Sequence, residues 1–195
     1  MPYPIEDKLV IAVASSALFD LSDSDHVFRT EGEKAYRKHQ EAHLDVPLEK
    51  GVAFPFVRRF LAINQRFPDK SPVEVVLLSR NSAITGKRVF RSINHHGLDI
   101  SRAAFLEGKS PYPYIPAFNA SLFLSANEND VLKAIDYGHP AGTVLPSHVV
   151  DDEGDTELRI AFDFDGVIAD DASEKVFKAG TLEAFQEHET SRAHI

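Results

Sequence analysis

Two aspartates spaced two apart, Asp163 and Asp165 in the stretch LRIAFDFDGVIADD (158–171), are the residues of this 195-residue chain best suited to chemistry. They follow an apolar run of strand type, and strand alternation sends side chains two apart to the same face. In a parallel sheet, ligand chemistry gathers at the carboxyl ends of the strands. Two neighbouring carboxylates repel, so a hard divalent cation is the expected cofactor. Magnesium takes oxygen ligands and keeps water or substrate phosphate in its remaining positions. One carboxylate can then attack phosphorus to give an aspartyl-phosphate, while the other trades a proton with the leaving oxygen or the attacking water. Gly166 allows the backbone to turn and approach a phosphate closely. Asp170, Asp171 and Ser173 read as caps for a helix beginning near Glu174.

The elements that must position this pair are legible as apolar runs. LVIAVA (9–14), VEVVLLS (73–79), SLFLSA (121–126), GTVLP (142–146) and LRIAFDF (158–164) predict strands, and their continuous apolarity predicts burial on both faces. Residues 24–43, 54–67, 85–97 and 127–138 carry apolar side chains at three- and four-residue steps and predict helices, with Gly97 and Gly138 placed as C-terminal caps. Strand and helix alternate, which predicts a doubly wound α/β fold with a mainly parallel sheet flanked by helices.

A shift of 149 residues lays LVIAVASSALFDLSDSDHVF (9–28) on LRIAFDFDGVIADDASEKVF (158–177) without gaps, and continues to KAYRKHQ (34–40) over EAFQEHE (183–189). The expected organisation is therefore a first domain over 1–148, an acidic linker over 149–157, and the opening strand and helix of a second, incomplete repeat over 158–195. In the first copy Ala14 stands opposite Asp163 and Ser16 opposite Asp165, so that copy reads as catalytically degenerate.

Other residues bear on the same chemistry. Ser79 ends a predicted strand where a hydroxyl could grip a phosphate, and with Asn81 it is equally placed to cap the following helix. Glu128 and Asp130 follow another strand where an acidic metal pair would sit, although a helix N-terminus favours them through its dipole. A composite site, with Asp163 and Asp165 beside Ser79 and Glu128, would need 158–164 to take the place in the sheet that 9–14 also claims. His95 and His96 lack a third ligand at metal spacing and read as a helix end. Tyr112 or Tyr114 could stack a base, but the proline-rich run around them reads first as a rigid loop, and Lys109 reads as an exposed lysine.

The net charge of −9 argues against a nucleic-acid polymer as partner. No apolar run is long enough for a membrane span, so no membrane partner is expected. The absence of cysteine removes disulfides, thiolate metal sites and a cysteine nucleophile, and fits a cytoplasmic setting.

AFDFDGVIADD resembles the first motif of haloacid dehalogenase-type phosphohydrolases. AFPFVRRFLAINQRF, VVLLSRNSAITGKRVFRSINHHGLDISRAAFLEGKSP, AFNASLFLSANENDVLKAIDYGHPAGTV and LRIAFDFDGVIADDASEKVF together resemble the cytosolic 5'-nucleotidase type I family over nearly the whole chain. The resemblance implies a dehalogenase-like fold and magnesium-dependent hydrolysis of nucleoside 5'-monophosphates in the cytoplasm. It assigns Asp163 as nucleophile and Asp165 as acid/base, with Asp163 and the Asp165 carbonyl helping to hold magnesium. Family chains continue well past this motif and supply further phosphate- and metal-binding residues there. A competing expectation is a non-catalytic module that binds nucleotide or assembles subunits. An apolar strand at 158–164 without partners is expected to join the first domain's sheet or to pair with another chain, giving a homodimer.

Overall fold

The computed structural model describes residues 5–147, 150–163, 167–168 and 172–192. The chain forms two compact units, Met1–Leu158 and Arg159–Ile195. Asp165, Gly166, Asp170 and Asp171 lie outside the described residues.

Five strands build the first unit: β1 (Leu9–Val13), β2 (Val73–Ser79), β3 (Ala103–Phe105), β4 (Ala120–Ser125) and β5 (Ala141–Thr143). They lie in the order β3-β2-β1-β4-β5, and every pairing is parallel. The strand order reverses at β1, which has β2 on one side and β4 on the other. That crevice is where an open α/β sheet places its ligand.

Burial on both faces follows from alternation along β1 and β2. Ile11, Val13, Val73, Val75 and Leu77 face one core with Phe54, Val57 and Phe60 of α3 (Phe54–Arg66) and Val89 and Ile93 of α4 (Ala83–His95). Val10, Ala12, Ala14, Val76, Leu78 and Phe123 face the other, with Ala134 of α5 (Glu128–Asp136) and Ile115. Each fully buried Val, Leu, Ile or Phe contributes about 1.5–3 kcal/mol over its exposed state. Glu74, the charged residue inside β2, is tolerated because Arg102 Nε donates to its carboxylate at 2.5 Å.

The predicted helices appear with informative differences. Gly97 (φ 67°) and Gly138 (φ 80°) end α4 and α5 in the left-handed conformation, as their positions predict. A one-turn helix α1 (Ser15–Leu18) follows β1 directly, and the predicted helix over 24–43 is α2 (Ser22–Ala42), broken at Gly32 (φ 82°, ψ 179°). The proline-rich run is two 3-10 turns, Tyr112–Tyr114 and Pro116–Phe118.

Described residues 158–163 form no strand, and 159–163 are exposed. The expected addition of this segment to the first sheet is thereby corrected. The place its sequence suits, between β2 and β4, is taken by β1, which is hydrogen-bonded to both. The acidic stretch before it is not a free tether either. Asp151 is held by Arg58 and Arg59 of α3 at 3.2 and 2.6 Å, Arg58 also donates to the carbonyls of Asp152, Glu153 and Asp155, and Lys50 pairs with Glu153.

The second unit contains α6 (Ala172–Ala179) and α7 (Leu182–Arg192). Phe177 and Phe185 meet edge-on across them, with centroids 5.7 Å apart and planes at 75°. Shifted back by 149 residues these are Phe28 and Tyr36, which meet across the Gly32 break at 5.7 Å and 83°. The break at Gly32 likewise falls opposite Thr181, between α6 and α7.

Candidate functional site

At the carboxyl ends of β1, β2 and β4 the first unit gathers buried polar groups. Ser15 Oγ and Ser79 Oγ lie 2.8 Å apart, both buried, and Ser79 Oγ accepts the Asn81 amide at 3.1 Å. Tyr36 donates its hydroxyl to Asn81 Oδ1 at 3.2 Å, which brings the second limb of α2 to this end of the sheet. Burial raises the Tyr36 phenol above its ordinary range, against the lowering effect of hydrogen bonds to Gln40 and Thr85. On the far side of β1, Ser125 Oγ accepts the Asn127 amide at 3.0 Å, and Asn127 Oδ1 caps α5 by accepting the Asp130 amide at 3.2 Å.

Asp130 is 2% exposed and is gripped from one direction. Arg80 Nε donates to Oδ2 at 2.7 Å and Nη2 to Oδ1 at 2.5 Å, while Ser110 Oγ donates to Oδ1 at 2.8 Å. The remaining Arg80 donors reach Ser110 Oγ and the Gly108 carbonyl. The hydrogen bonds and charge of Asp130 hold the Arg80 guanidinium above its usual pKa, against the lowering effect of burial. Because a bidentate guanidinium already satisfies both carboxylate oxygens, Asp130 does not fit a magnesium ion.

The other sequence candidates distribute as follows. Ser82, rather than Ser79 or Asn81, caps α4, its Oγ accepting the Thr85 amide. Ala14, opposite Asp163 in the repeat, places its methyl in the second core, and Ser16 is exposed. Glu128 is exposed in the first turn of α5. His96 packs against Phe19 and Phe54 and lies 2.9 Å from the Leu48 carbonyl, a structural placement, and His95 meets it edge-on. Tyr112 stacks on Tyr137 at 4.5 Å and packs into the second core, Tyr114 is exposed, and so is Lys109.

Asp163 is exposed and belongs to the second unit, whereas Ser79 and Asp130 belong to the first. Its carboxylate is a hard oxygen donor of the type magnesium takes, and fit there rests on that donor chemistry, since Asp165 lies outside the described residues. Among the described residues no three His, Cys, Asp or Glu side chains cluster as a metal site. Sequence reasoning missed Ser15 and Arg80. Ser15 was signalled only by its place directly after a buried strand, and Arg80 by nothing local, because its partner is 50 residues away.

The model of the 5'-nucleotidase family matches residues 1–195. The chain belongs to the 5'-nucleotidase family. This 5'-nucleotidase-family chain is 34% identical over 196 residues to human cytosolic 5'-nucleotidase 1B, a match covering 97% of the chain and 32% of that protein. It thus spans about a third of the length of this curated relative. Among solved structures it resembles the HAD domain of the effector protein Lem4 from Legionella pneumophila, at 12% identity and a TM-score of 0.41, over 70% of this chain and 85% of that one. Among its described residues, no helix of this family member is long and apolar enough to cross a membrane.

Proposed function

We propose that the chain carries the reacting motif of a magnesium-dependent 5'-nucleotidase, which hydrolyses nucleoside 5'-monophosphates to nucleoside and phosphate in the cytoplasm. The observation that supports this reading is the family match, which runs through residues 163–166 and so includes the D-x-D-G sequence. In the proposed reaction an Asp163 carboxylate oxygen attacks phosphorus, the bond to the 5'-oxygen breaks, and an aspartyl-phosphate forms. Asp165 gives a proton to the departing 5'-oxygen. It then takes one from the water that attacks the aspartyl-phosphate, releasing phosphate and restoring Asp163. Gly166 lets the main chain come close to the transferred group. Magnesium, held by Asp163 and the Asp165 carbonyl, supplies positive charge against the phosphoryl oxygens.

Phosphate release from a nucleoside 5'-monophosphate, followed with and without magnesium in the wild-type chain and Asp163→Asn, tests the reading. Magnesium-dependent release that falls at least about a thousandfold in the variant supports it. Release that survives Asp163→Asn removes Asp163 from the mechanism.

For the first unit taken alone, a different reading is favoured by one observation: its strand end carries Ala14 and Ser16 in the places of Asp163 and Asp165. Neither side chain supplies a carboxylate, so this unit is proposed to bind nucleotide or assemble subunits without turnover. A wild-type chain that binds a nucleoside 5'-monophosphate in calorimetry but releases no phosphate supports this second role, and magnesium-dependent release supports the first.

A further inference from the structure

A carboxylate buried at the switch point of a parallel sheet needs a positive partner, because an unpaired buried charge is far too costly to retain. Two kinds of partner are available to Asp130, a divalent cation or a basic side chain. It lies in the first turn of α5, just past the end of β4, and β4 is the neighbour of β1. Ser79 ends β2 on the other side of β1. In a sheet of this order, that is the end where phosphate and metal chemistry is done.

We propose that Arg80 is the built-in cation of the first unit: its guanidinium takes both oxygens of Asp130 and so keeps a divalent ion from that carboxylate. The geometry carries this assignment. A fork-on-fork contact at 2.7 and 2.5 Å uses the two carboxylate oxygens that an ion would need. Ser110 Oγ adds a third donor to the same carboxylate, and the Gly108 carbonyl fixes the guanidinium from behind. Arg80 directly follows Ser79 at the exit of β2, so one loop delivers both the buried hydroxyl and the cation. A repeat whose aspartate pair has become Ala14 and Ser16 would have little left to hold an ion. A fixed positive charge keeps the remaining carboxylate neutralised without one. It follows that divalent ions bind the chain independently of Asp130.

The test reads metal binding rather than turnover, with Mn2+ as the probe and free Mn2+ measured by electron paramagnetic resonance on the full chain. The background is Asp163→Asn, which silences the proposed second-unit motif. In it, Asp130→Asn is expected to change Mn2+ binding less than twofold. Arg80→Gln in the same background is expected to create a saturable site at least tenfold tighter than any residual binding, and adding Asp130→Asn to it should abolish that site. Arg80→Lys, which keeps a charge but not the fork, serves if Arg80→Gln does not fold, and is expected to show the same gain more weakly. The proposal is overturned if Asp163→Asn retains a saturable site that Asp130→Asn removes. It is also overturned if folded Arg80→Gln and Arg80→Lys chains gain no site. Absence of Mn2+ binding in the wild type would count against the proposed Asp163 metal site alone, because the Arg80 variants are compared within their own background.

Discussion

Ser15 and Ser79 join the carboxyl ends of β1 and β2 through a buried contact between their hydroxyls, 2.8 Å from oxygen to oxygen. Ser79 also receives the Asn81 amide, so its hydroxyl is engaged twice within the first unit. Ser79→Ala leaves that amide and Ser15 short of a partner in a buried place. The expected loss is about 1–3 kcal/mol in unfolding free energy. If nucleotide turnover is measured on the same variant, KM is expected to stay within about twofold of wild type, since two hydrogen bonds of the hydroxyl lie within the first unit. A large rise in KM with unchanged stability would instead return Ser79 to the substrate.

Gly86 of α4 lies against the Phe105 ring of β3. A Cβ there would lie 2.5 Å from the Phe105 ring, which no real contact tolerates. Gly86→Ala is expected to destabilise by about 1–3 kcal/mol despite the better helix propensity of alanine. Pairing it with Phe105→Leu should recover part of that loss in a double-mutant cycle. Additive losses would show that the ring is not the obstacle.

The acidic stretch held on α3 gives a pH dependence of known sign. Partial burial pushes the Asp151 carboxyl up, but hydrogen bonds from Arg59 and Arg58 outweigh it and leave the group below its ordinary 3.8. A carboxylate with a lowered folded pKa stabilises the fold above its unfolded value, and the contribution is lost as pH falls through the folded one. Urea midpoints are therefore expected to drop below about pH 4, with Asp151→Asn removing part of that drop. The contact is partly solvated, so the effect is on the order of 1 kcal/mol, and added salt should reduce it. A midpoint in Asp151→Asn with the wild-type pH dependence would contradict the assignment.

Ile160 and Phe162 are 51% and 67% exposed in a segment that forms no strand among the described residues. Alternating apolar residues left open in this way pair readily with another chain. Light scattering is expected to show a homodimer, and Phe162→Asp is expected to shift it to monomer. A wild-type monomer at every concentration would refute the pairing.

β5, A-G-T and half-buried, only overlaps the expected GTVLP at Gly142 and Thr143, but β1, β2 and β4 were legible as apolar runs, as in VEVVLLS for β2. β3 was not, since Ala103–Phe105 is three residues with two alanines and draws its place from β2 rather than from its own pattern. The break in α2 was hidden for a related reason: apolar spacing continues across Gly32, and one left-handed glycine is enough to turn the chain. The expected repeat pairs Phe28 with Phe177 and Tyr36 with Phe185, and an edge-on ring contact occurs within each of the two segments. Long-range charge pairing was not readable. Asp130 has the sequence context of a helix-dipole residue, and only the folded sheet brings Arg80 to it. Asp151 likewise reads as linker until Arg58 and Arg59 reach it across more than 90 residues.

The reading of Asp163 as nucleophile is tested most directly by acid-quenching the chain during turnover of a nucleoside 5'-monophosphate with magnesium and locating any phosphoryl group by mass spectrometry. The expected result is phosphorylation on the peptide containing Asp163 and on no other, absent in Asp163→Asn. Turnover without a phosphorylated Asp163, or with the label on another residue, would contradict it.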